Sequence, residues 1–221
     1  MSTVPPLDLS VYLVADAGVC EAVGADLPDV AARAVAGGAT AVQLRAKDIG
    51  GGAFTELAAA VSRALPSSVP LLINDRVDVA LTLRARGLAC AGVHLGQSDL
   101  PVDDARALLG ADAIIGLSAA LPEQIRAAAD SPARVDYIGI GPLHSTATKP
   151  DAPAGIGMPT VLERARASAL PAVAIGGVTA ADMPALRAGG LVGGAVVSCI
   201  CADDDPEAAA RRLADAWKET P

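Results

Sequence analysis

The sequence predicts a single (β/α)8 barrel of the α/β class, a TIM barrel, over residues 1–221, with residues 1–9 as an N-terminal extension. Eight short apolar runs alternate with eight alanine-rich segments of helical periodicity. Near-continuous apolar strands are typical of a parallel sheet that is covered on both faces. Hydrophobic residues make up 52% of the 221 residues, which is enough for such a core. An open doubly wound sheet is the alternative, but eight strand–helix units in this length favour closure.

The strands are predicted where the β-branched and apolar runs lie. In chain order they are Val11–Ala15, Thr40–Leu44, Leu71–Ile73, Gly92–His94, Ala113–Gly116, Val135–Ile138, Ala172–Ile175 and Ala195–Val197. The helices are predicted at Asp29–Ala36, Ala53–Ala64, Val77–Arg86, Val102–Leu109, Pro122–Ala129, Pro159–Ala167, Ala180–Ala188 and Pro206–Trp217. Prolines at positions 28, 101, 122 and 206 suit a first helical turn. Since functional residues of such barrels lie where strands end, polar residues at those positions are the site candidates.

Composition and charge exclude several classes of partner. The 25 acidic and 17 basic residues give a net charge of −8, and aromatic residues make up 2%, so we expect neither a nucleic acid nor an anionic membrane as partner. We also expect no secretory signal and no membrane span. Cys199 and Cys201 are expected on one face of a strand, as reduced thiols. A cytoplasmic protein that acts on small molecules is therefore predicted, and a homo-oligomer is compatible with the sequence.

The second predicted strand carries three polar residues that alternate with apolar ones. Alternation places Gln43, Arg45 and Lys47 on one face. An ordinary half-exposed strand would give the same pattern. A barrel strand, however, has a solvated face only at the barrel mouth. Two cations spaced along a strand can grip a diphosphate, and the glutamine amide can hydrogen-bond the edge of a ring.

Carboxylates follow the third and fourth strands. Asn74 and Asp75 come directly after one strand, and Asp99 follows the next. Each of these residues would also suit the start of the following helix as a cap. Adjacent parallel strands would bring Asp75 and Asp99 together beside the cationic strand. Two carboxylates form only part of a cage, which suits Mg²⁺ because this ion keeps waters and takes phosphate oxygens as its other ligands.

The later strand ends supply hydroxyl and backbone donors. Ser118 ends the fifth strand and is alternatively a helix cap. Residues 139–157 show little regular pattern, and long irregular loops are usually lids or binding loops rather than surface insertions. There Thr146, Thr148 and Lys149 offer hydroxyl groups and a cation to a phosphorylated ligand. After the last two strands, the backbone of Gly177, Val197 and Ser198 is expected to bind a monophosphate.

The two histidines lack a neighbouring nucleophile. His94 lies at a strand end and His144 in the long loop, and either can be an ordinary core or loop residue. The predicted mouth is thus rich in anion-binding groups and poor in acid–base groups. That balance favours displacement of a good leaving group over proton abstraction.

Taken in order, these pieces resemble the thiamine-phosphate synthase family. The resemblance covers almost the whole chain and is carried by Tyr12-Leu13-Val14, Gln43-x-Arg45-x-Lys47, Asn74-Asp75, Gly92-Val93-His94-Leu95-Gly96-Gln97-x-Asp99, Gly116-Leu117-Ser118, Gly141-Pro142, Thr146-x-Thr148-Lys149 and Ile175-Gly176-Gly177-Val178. It implies a (β/α)8 transferase of thiamine biosynthesis. Such an enzyme joins 4-amino-2-methyl-5-hydroxymethylpyrimidine diphosphate to a thiazole phosphate and releases pyrophosphate by a dissociative, magnesium-assisted route.

The resemblance also implies roles for individual residues. The pyrimidine diphosphate would contact Gln43, Leu44, Arg45, Ala46, Lys47, Asn74, Ser118 and Lys149, among which Arg45, Lys47, Ser118 and Lys149 would be catalytic. The thiazole phosphate would contact Thr146, Ala147, Thr148, Gly177, Val197 and Ser198. The Mg²⁺ ion would be held by Asp75 and Asp99.

The chain departs from the family pattern at two positions. Ala46 stands where the family usually has an acidic residue, and its side chain is expected to face outward. Ala120 stands where the family commonly has a histidine, which removes a candidate acid–base group. A thiazole tautomerase on the same barrel, or an inactive barrel that binds a thiazole or thiamine phosphate as a regulator, are the competing hypotheses. The complete set of cations and carboxylates argues against the inactive barrel.

Overall fold

Eight parallel strands close into a barrel in chain order. The computed structural model describes residues 7–145 and 154–219. Each strand pairs in parallel with the next, and the eighth pairs with the first. The strands are β1 (Val11–Asp16), β2 (Ala41–Arg45), β3 (Leu71–Asn74), β4 (Gly92–Leu95), β5 (Ile114–Ser118), β6 (Tyr137–Ile140), β7 (Ala172–Ala174) and β8 (Gly193–Val196). The predicted closed barrel is confirmed, and the open sheet is excluded.

Helices follow every strand and cover the outside of the sheet. They are α1 (Ala17–Ala22), α2 (Leu27–Gly37), α3 (Gly51–Ala64), α4 (Val77–Ala85), α5 (Val102–Leu109), α6 (Pro122–Asp130), α7 (Met158–Ala167), α8 (Met183–Ala188), α9 (Ser198–Cys201) and α10 (Pro206–Lys218). A 3₁₀ turn at Ala180–Asp182 precedes α8. No helix in the described ranges is both long and apolar enough to cross a membrane.

Local chemistry sets the bounds of α2. The Asp26 side chain accepts a hydrogen bond from the Asp29 backbone N–H at 3.2 Å, and Pro28 lies in the first turn. Gly38 ends the helix with a φ of 114°, a left-handed conformation that glycine adopts without strain. The helix therefore begins at Leu27, before its predicted start.

Strand alternation divides the core into two layers. One apolar layer lies between the strands and the helices. The other fills the lower part of the barrel with side chains that point inward, namely Leu9, Tyr12, Val14, Ala41, Leu72, Tyr137, Val173 and Ala195. Above this apolar plug, the inward positions of the strands carry polar side chains.

Two short helices were missing from the sequence prediction. Cys199 and Cys201 lie in α9, so the expectation that both stand on one face of a strand was wrong. Helix α9 begins as soon as β8 ends, and α1 follows β1 just as closely. Each spans too few residues to show a helical repeat of apolar positions. All four cysteines are free thiols, as expected.

Candidate active site

A cavity of about 490 Å³ opens where the strands end. Residues from all eight strands, or from the loops that follow them, line it. It brings together most of the site residues that the sequence predicted: Gln43, Arg45, Lys47, Asn74, Asp75, Asp99, Ser118, Gly177, Val197 and Ser198. These residues are widely separated along the chain, and closure of the barrel unites them at one mouth.

Two predicted contact residues point away from the cavity. Leu44 and Ala46 alternate with the polar residues of β2, and both are buried in the layer between strands and helices. The outward orientation expected for Ala46 is therefore observed. Neither side chain faces the cavity, so only the backbone of these two residues is available to a ligand there.

Four predicted site residues lie outside the described ranges. They are Thr146, Ala147, Thr148 and Lys149. After β6, the described residues end at Ser145 and resume at Ala154. Both ends of this segment meet, because the Gly155 position lies against the His144 backbone.

A buried carboxylate holds the first cation of β2 in place. Arg45 Nη1 donates to Asp16 Oδ2, and Asp16 is only 4% exposed. The other oxygen of Asp16 accepts from the Val19 backbone N–H at 3.0 Å and caps α1. Sequence reasoning missed Asp16. The available signal was a polar residue at the end of β1, which the parallel register pairs with Arg45.

The second cation of β2 lies beside the predicted carboxylate pair. Lys47 Nζ donates to Asp75 Oδ2 at 2.5 Å, and half of the lysine side chain is exposed. Burial raises the pKa of Asp99, and the neighbouring Asp75 raises it further by hydrogen bonding and by charge, whereas Lys47 opposes this effect. Asp75 and Asp99 thus face each other next to a lysine at the cavity rim.

The alternative interpretation of these residues as helix caps is not supported. Helix α4 is capped at Arg76 and α5 at Pro101, and neither cap uses a side-chain hydrogen bond. Asp99 Oδ2 instead accepts from the Gly96 backbone N–H at 2.7 Å. Asp75 adopts a φ of 61°, an unusual conformation for a residue with a side chain. Such backbone strain is typical of functional positions.

The carboxylate pair suits a magnesium ion that is only partly coordinated by protein. Two hard oxygen donors that repel each other gain from a divalent cation between them. No group of three or more His, Cys, Asp or Glu side chains in the described ranges could hold a metal alone. The remaining ligands would therefore be water and substrate oxygens, as Mg²⁺ commonly prefers.

Below the carboxylates, a buried histidine contacts Ser118. His94 Nε2 lies 3.0 Å from Ser118 Oγ, and Nδ1 lies 2.9 Å from the Tyr137 hydroxyl. Burial lowers the pKa of His94 to about 4, although the charge of Asp99 acts in the opposite direction, so the ring is neutral near pH 7. Burial also raises the pKa of Tyr137. The serine is not a cap, since α6 is capped at Leu121.

The loop after β7 brings backbone groups to the opposite side of the cavity. Gly176 and Gly177 have φ values of 92° and 67°. A Cβ atom added at Gly177 would lie 2.9 Å from His144 Cβ, so glycine allows the close approach of two loops. His144 Nε2 in turn lies 2.9 Å from Asp182 Oδ1. This contact joins the loop after β6 to the turn after β7.

Position 120, where the resemblance led us to expect a histidine, carries only a methyl group. Ala120 lines the cavity, and its backbone N–H donates to Gln124 Oε1 at 3.0 Å. Among the described residues, the ionisable groups that line the cavity are Tyr12, Arg45, Lys47, Asp75, His94 and Asp99. Apart from the predicted cations and carboxylates, these groups are His94 and Tyr12, both of which are buried.

The fold and the site define an enzyme of the (β/α)8 class with cations, paired carboxylates and backbone donors at one mouth. Residues 11–200 match the sequence profile of the family described as thiamine monophosphate synthase. The chain belongs to that family.

Individual thiamine-phosphate synthases align with this chain over nearly its whole length. The chain is 45% identical to a thiamine-phosphate synthase of Corynebacterium efficiens over 97% of this chain and 98% of the relative. It is 50% identical to a thiamine-phosphate synthase of Solidesulfovibrio magneticus over 95% of each. A solved structure of thiamine phosphate pyrophosphorylase from Pyrococcus furiosus superposes with a TM-score of 0.82 at 26% identity, covering 96% of this chain and 97% of that one.

Proposed function

We propose that this chain condenses 4-amino-2-methyl-5-hydroxymethylpyrimidine diphosphate with a thiazole phosphate, giving thiamine phosphate and pyrophosphate. The observation that carries the proposal is the meeting of Arg45, Lys47, Ser118 and two aspartates in one cavity. An acidic molecule of net charge −8 concentrates donors for a diphosphate there. Membership of the family supports the same activity.

The diphosphate is assigned to the side of the cavity that is formed by the ends of β2 to β5. Arg45, oriented by its buried carboxylate partner, supplies a fixed guanidinium, and Lys47 supplies a second cation. Asn74 and the Ser118 hydroxyl add neutral donors, and the family resemblance adds Lys149. Donors that are already oriented stabilise the charge that develops on a departing diphosphate, which is commonly the largest contribution to catalysis.

Asp75 and Asp99 would hold the Mg²⁺ ion. Bound there, the ion would neutralise charge on the diphosphate and make it a better leaving group. Lys47 contacts Asp75 and reaches the same rim. The protein side chains therefore place positive charge around a leaving group that carries several negative charges.

The thiazole phosphate is assigned to the opposite side of the cavity. The backbone of Gly177, Val197 and Ser198 would bind the monophosphate together with Thr146, Ala147 and Thr148. Gly177 has no side chain between the backbone and the cavity, and its φ of 67° is one that other residues rarely adopt. Two separate anion sites would hold the two substrates with their reacting atoms together.

The reaction needs no general base from the protein. An electron-rich aminopyrimidine supports a methylene cation once the diphosphate leaves, and the thiazole nitrogen attacks with its own lone pair. His94 suits this route, because it is buried and both of its ring nitrogens already have partners. The protein's task is to bind, orient and exclude water, which would otherwise capture the cation.

We further propose that the enzyme is a single domain located in the cytoplasm. We assign residues 1–221 to one barrel domain, and Leu9 of the N-terminal segment is buried in its lower core. Four free thiols support a reducing, cytoplasmic location. Ala120 argues against the tautomerase, because its methyl group removes one candidate acid–base group for that reaction.

Product analysis tests the proposed function. Purified protein is mixed with both substrates and Mg²⁺, with either substrate omitted as control, and thiamine phosphate and pyrophosphate are quantified by chromatography and mass spectrometry. We expect equal amounts of both products only in the complete mixture. Isomerised thiazole phosphate without thiamine phosphate would support the tautomerase, and binding without turnover would support the regulator.

A further inference from the structure

A row of hydrogen-bonded polar side chains crosses the inside of the barrel beneath the cavity. Gln43 Nε2 lies 2.7 Å from the Tyr12 hydroxyl, which lies 2.6 Å from the Tyr137 hydroxyl. The Tyr137 hydroxyl is 2.9 Å from His94 Nδ1, and His94 Nε2 is 3.0 Å from Ser118 Oγ. The row therefore connects the residue assigned to the pyrimidine ring with the serine assigned to the diphosphate.

Counting protons gives every bond of this row a direction. An amide nitrogen can only donate, so Tyr12 accepts from Gln43. Among the described residues the Tyr12 proton has no acceptor besides the Tyr137 hydroxyl, so Tyr12 donates to Tyr137. Tyr137 then gives its proton to His94 Nδ1. A neutral imidazole carries one proton, which must be on Nε2 and is donated to Ser118 Oγ. Ser118 thus accepts from below and keeps its own proton for an acceptor above.

The acceptor above is supplied by the substrate. Ser118 is exposed and lines the cavity, whereas His94 and both tyrosines are buried. Diphosphate oxygens only accept hydrogen bonds from a hydroxyl group. The opposite direction of the row would turn the serine proton toward the imidazole and leave a lone pair facing these anionic oxygens.

The strand opposite Tyr137 is shaped for this arrangement. A Cβ atom added at Gly116 would lie 2.2 Å from Tyr137 Cζ and 2.3 Å from the hydroxyl oxygen. Any other residue at Gly116 would displace the hydroxyl that joins the two halves of the row. Tyr12 and Tyr137 also pack edge to face, with ring centroids 5.7 Å apart, which fixes both rings.

We infer that Tyr137 is a positioning residue for the condensation. Through His94 it makes Ser118 a hydrogen-bond donor toward the diphosphate, and through Tyr12 it fixes the Gln43 amide, whose oxygen is then available to the amino group of the pyrimidine. Tyr137 is fully buried and acts only through these neighbours. The inference rests on the proposed function, because the diphosphate substrate supplies the acceptor that the row requires.

The first test is Tyr137→Phe, which removes one hydroxyl and keeps the ring. His94 Nδ1 then loses its donor, so the imidazole can change tautomer and accept the serine proton. We expect kcat/KM for the pyrimidine diphosphate to fall about tenfold or more, since a misdirected charged hydrogen bond costs this much. The KM for the thiazole phosphate stays within about twofold of wild type, since that substrate lies on the other side.

Ser62→Ala is the matched control. Ser62 lies in α3, and its buried hydroxyl donates to the Ala89 carbonyl at 2.9 Å. Neither residue lines the cavity. Like Tyr137→Phe, this variant loses one buried hydroxyl, so we expect a similar loss of thermal stability. We expect no change in kcat/KM for the pyrimidine diphosphate or in KM for the thiazole phosphate. Equal losses of activity in both variants would reduce Tyr137 to a general structural role and overturn the inference.

A double-mutant cycle with Ser118→Ala tests the route of the effect. Both activity and the binding of inorganic pyrophosphate with Mg²⁺, by calorimetry, are measured for wild type, both single variants and the double variant. We expect Tyr137→Phe to weaken pyrophosphate binding about tenfold in the wild-type background and less than about twofold beside Ser118→Ala.

The two readouts separate the two hypotheses. The inference would be overturned if the Tyr137→Phe and Ser118→Ala losses of pyrophosphate affinity multiplied in the double variant, or if Tyr137→Phe bound pyrophosphate like wild type. Neither result would affect the proposed function, provided that the wild-type protein forms thiamine phosphate. Wild-type protein that forms no thiamine phosphate but shows the expected coupling in pyrophosphate binding would overturn the proposed function, and the role of Tyr137 would then be to position Ser118 for a diphosphate ligand.

Discussion

At the scale of single residues, the site depends on charges that hold one another in position. Asp16 is buried and pairs with Arg45, while its second oxygen caps α1. Lys47 similarly contacts one member of the carboxylate pair. Each cation thus approaches a ligand from a fixed direction, because a carboxylate on a neighbouring strand end orients it.

Asp16→Asn is expected to weaken the pyrimidine diphosphate site. The amide keeps the shape of the cap but loses the charge, so Arg45 becomes less well oriented. We expect the KM for the pyrimidine diphosphate to rise about tenfold and the free energy of unfolding to fall by about 3 kcal/mol, the usual cost of breaking a buried pair. Steady-state kinetics and urea unfolding measure these effects.

Asp26→Asn is the control for this change. Asp26 caps α2 in the same way but lies at the surface. We expect this variant to keep wild-type kinetics. If Asp16→Asn lost stability without any change in KM, the role of Asp16 would be limited to the cap of α1.

Asp75→Asn and Asp99→Asn are expected to raise the Mg²⁺ concentration needed for half-maximal activity by about tenfold or more, because a metal-binding carboxylate is lost. Asparagine tolerates the left-handed backbone at position 75, so the fold should survive. The Mg²⁺ dependence of the initial rate measures the effect. Asp78→Asn, an exposed aspartate paired with Arg76, is the matched control. Lower thermal stability with an unchanged Mg²⁺ dependence would point back to helix caps.

At the scale of elements, the loops after β6 and β7 support each other at the thiazole side. Gly177 packs against His144, and His144 contacts Asp182. Burial of Asp182 favours a higher pKa, but the hydrogen bonds from His144 and Thr179 together outweigh it and lower the pKa of this carboxyl. The carboxylate is therefore charged and can fasten both loops beside the cavity.

Gly177→Ala is expected to raise the KM for the thiazole phosphate by several-fold and to leave the KM for the pyrimidine diphosphate unchanged. The new Cβ would press against His144 and force the loop outward. Gly24→Ala is the control, since Gly24 has nearly the same φ, 69°, with nothing within 4 Å of the added atom. Both variants should lose about 1–2 kcal/mol of stability from the left-handed backbone. Equal changes in both KM values would contradict two separate substrate sites.

Much of the structure at the scale of elements could be predicted from the sequence. The rest could not, for physical reasons that differ from one element to the next. The apolar strands and most helices follow from periodicity, and alternation placed Arg45 and Lys47 on one face. Helices α1 and α9 are too short to show a repeat. The Tyr12–Tyr137 contact joins positions 125 residues apart, so it depends on closure of the barrel and on register. Sequence patterns can suggest that a histidine is buried, as for His94, but not which groups it contacts.

At the scale of the whole molecule, burial of His94 makes stability depend on pH. Its pKa is lowered to about 4 in the folded chain and is about 6.5 when unfolded. Between these values the unfolded chain binds more protons, so stability is full above pH 6.5 and is lost as pH falls toward 4. We expect His94 to account for a loss of about 2 kcal/mol between pH 7 and pH 5.

Urea unfolding at both pH values measures this loss. His94→Gln should remove the dependence that His94 contributes, and His144→Gln should retain it. An identical pH dependence in wild type and His94→Gln would contradict a neutral, buried imidazole at the base of the cavity.

The whole molecule also separates its charges, because a chain of net charge −8 gathers its site cations and a carboxylate pair at one mouth of the barrel. The most direct measurement of the central claim is the rate of pyrophosphate release by protein freed of metal with a chelator, as Mg²⁺ is added back with both substrates present. We expect release that is negligible without the ion, rises to saturation with it and matches thiamine phosphate formation one for one. Release at the same rate in chelator and in excess Mg²⁺ would contradict it.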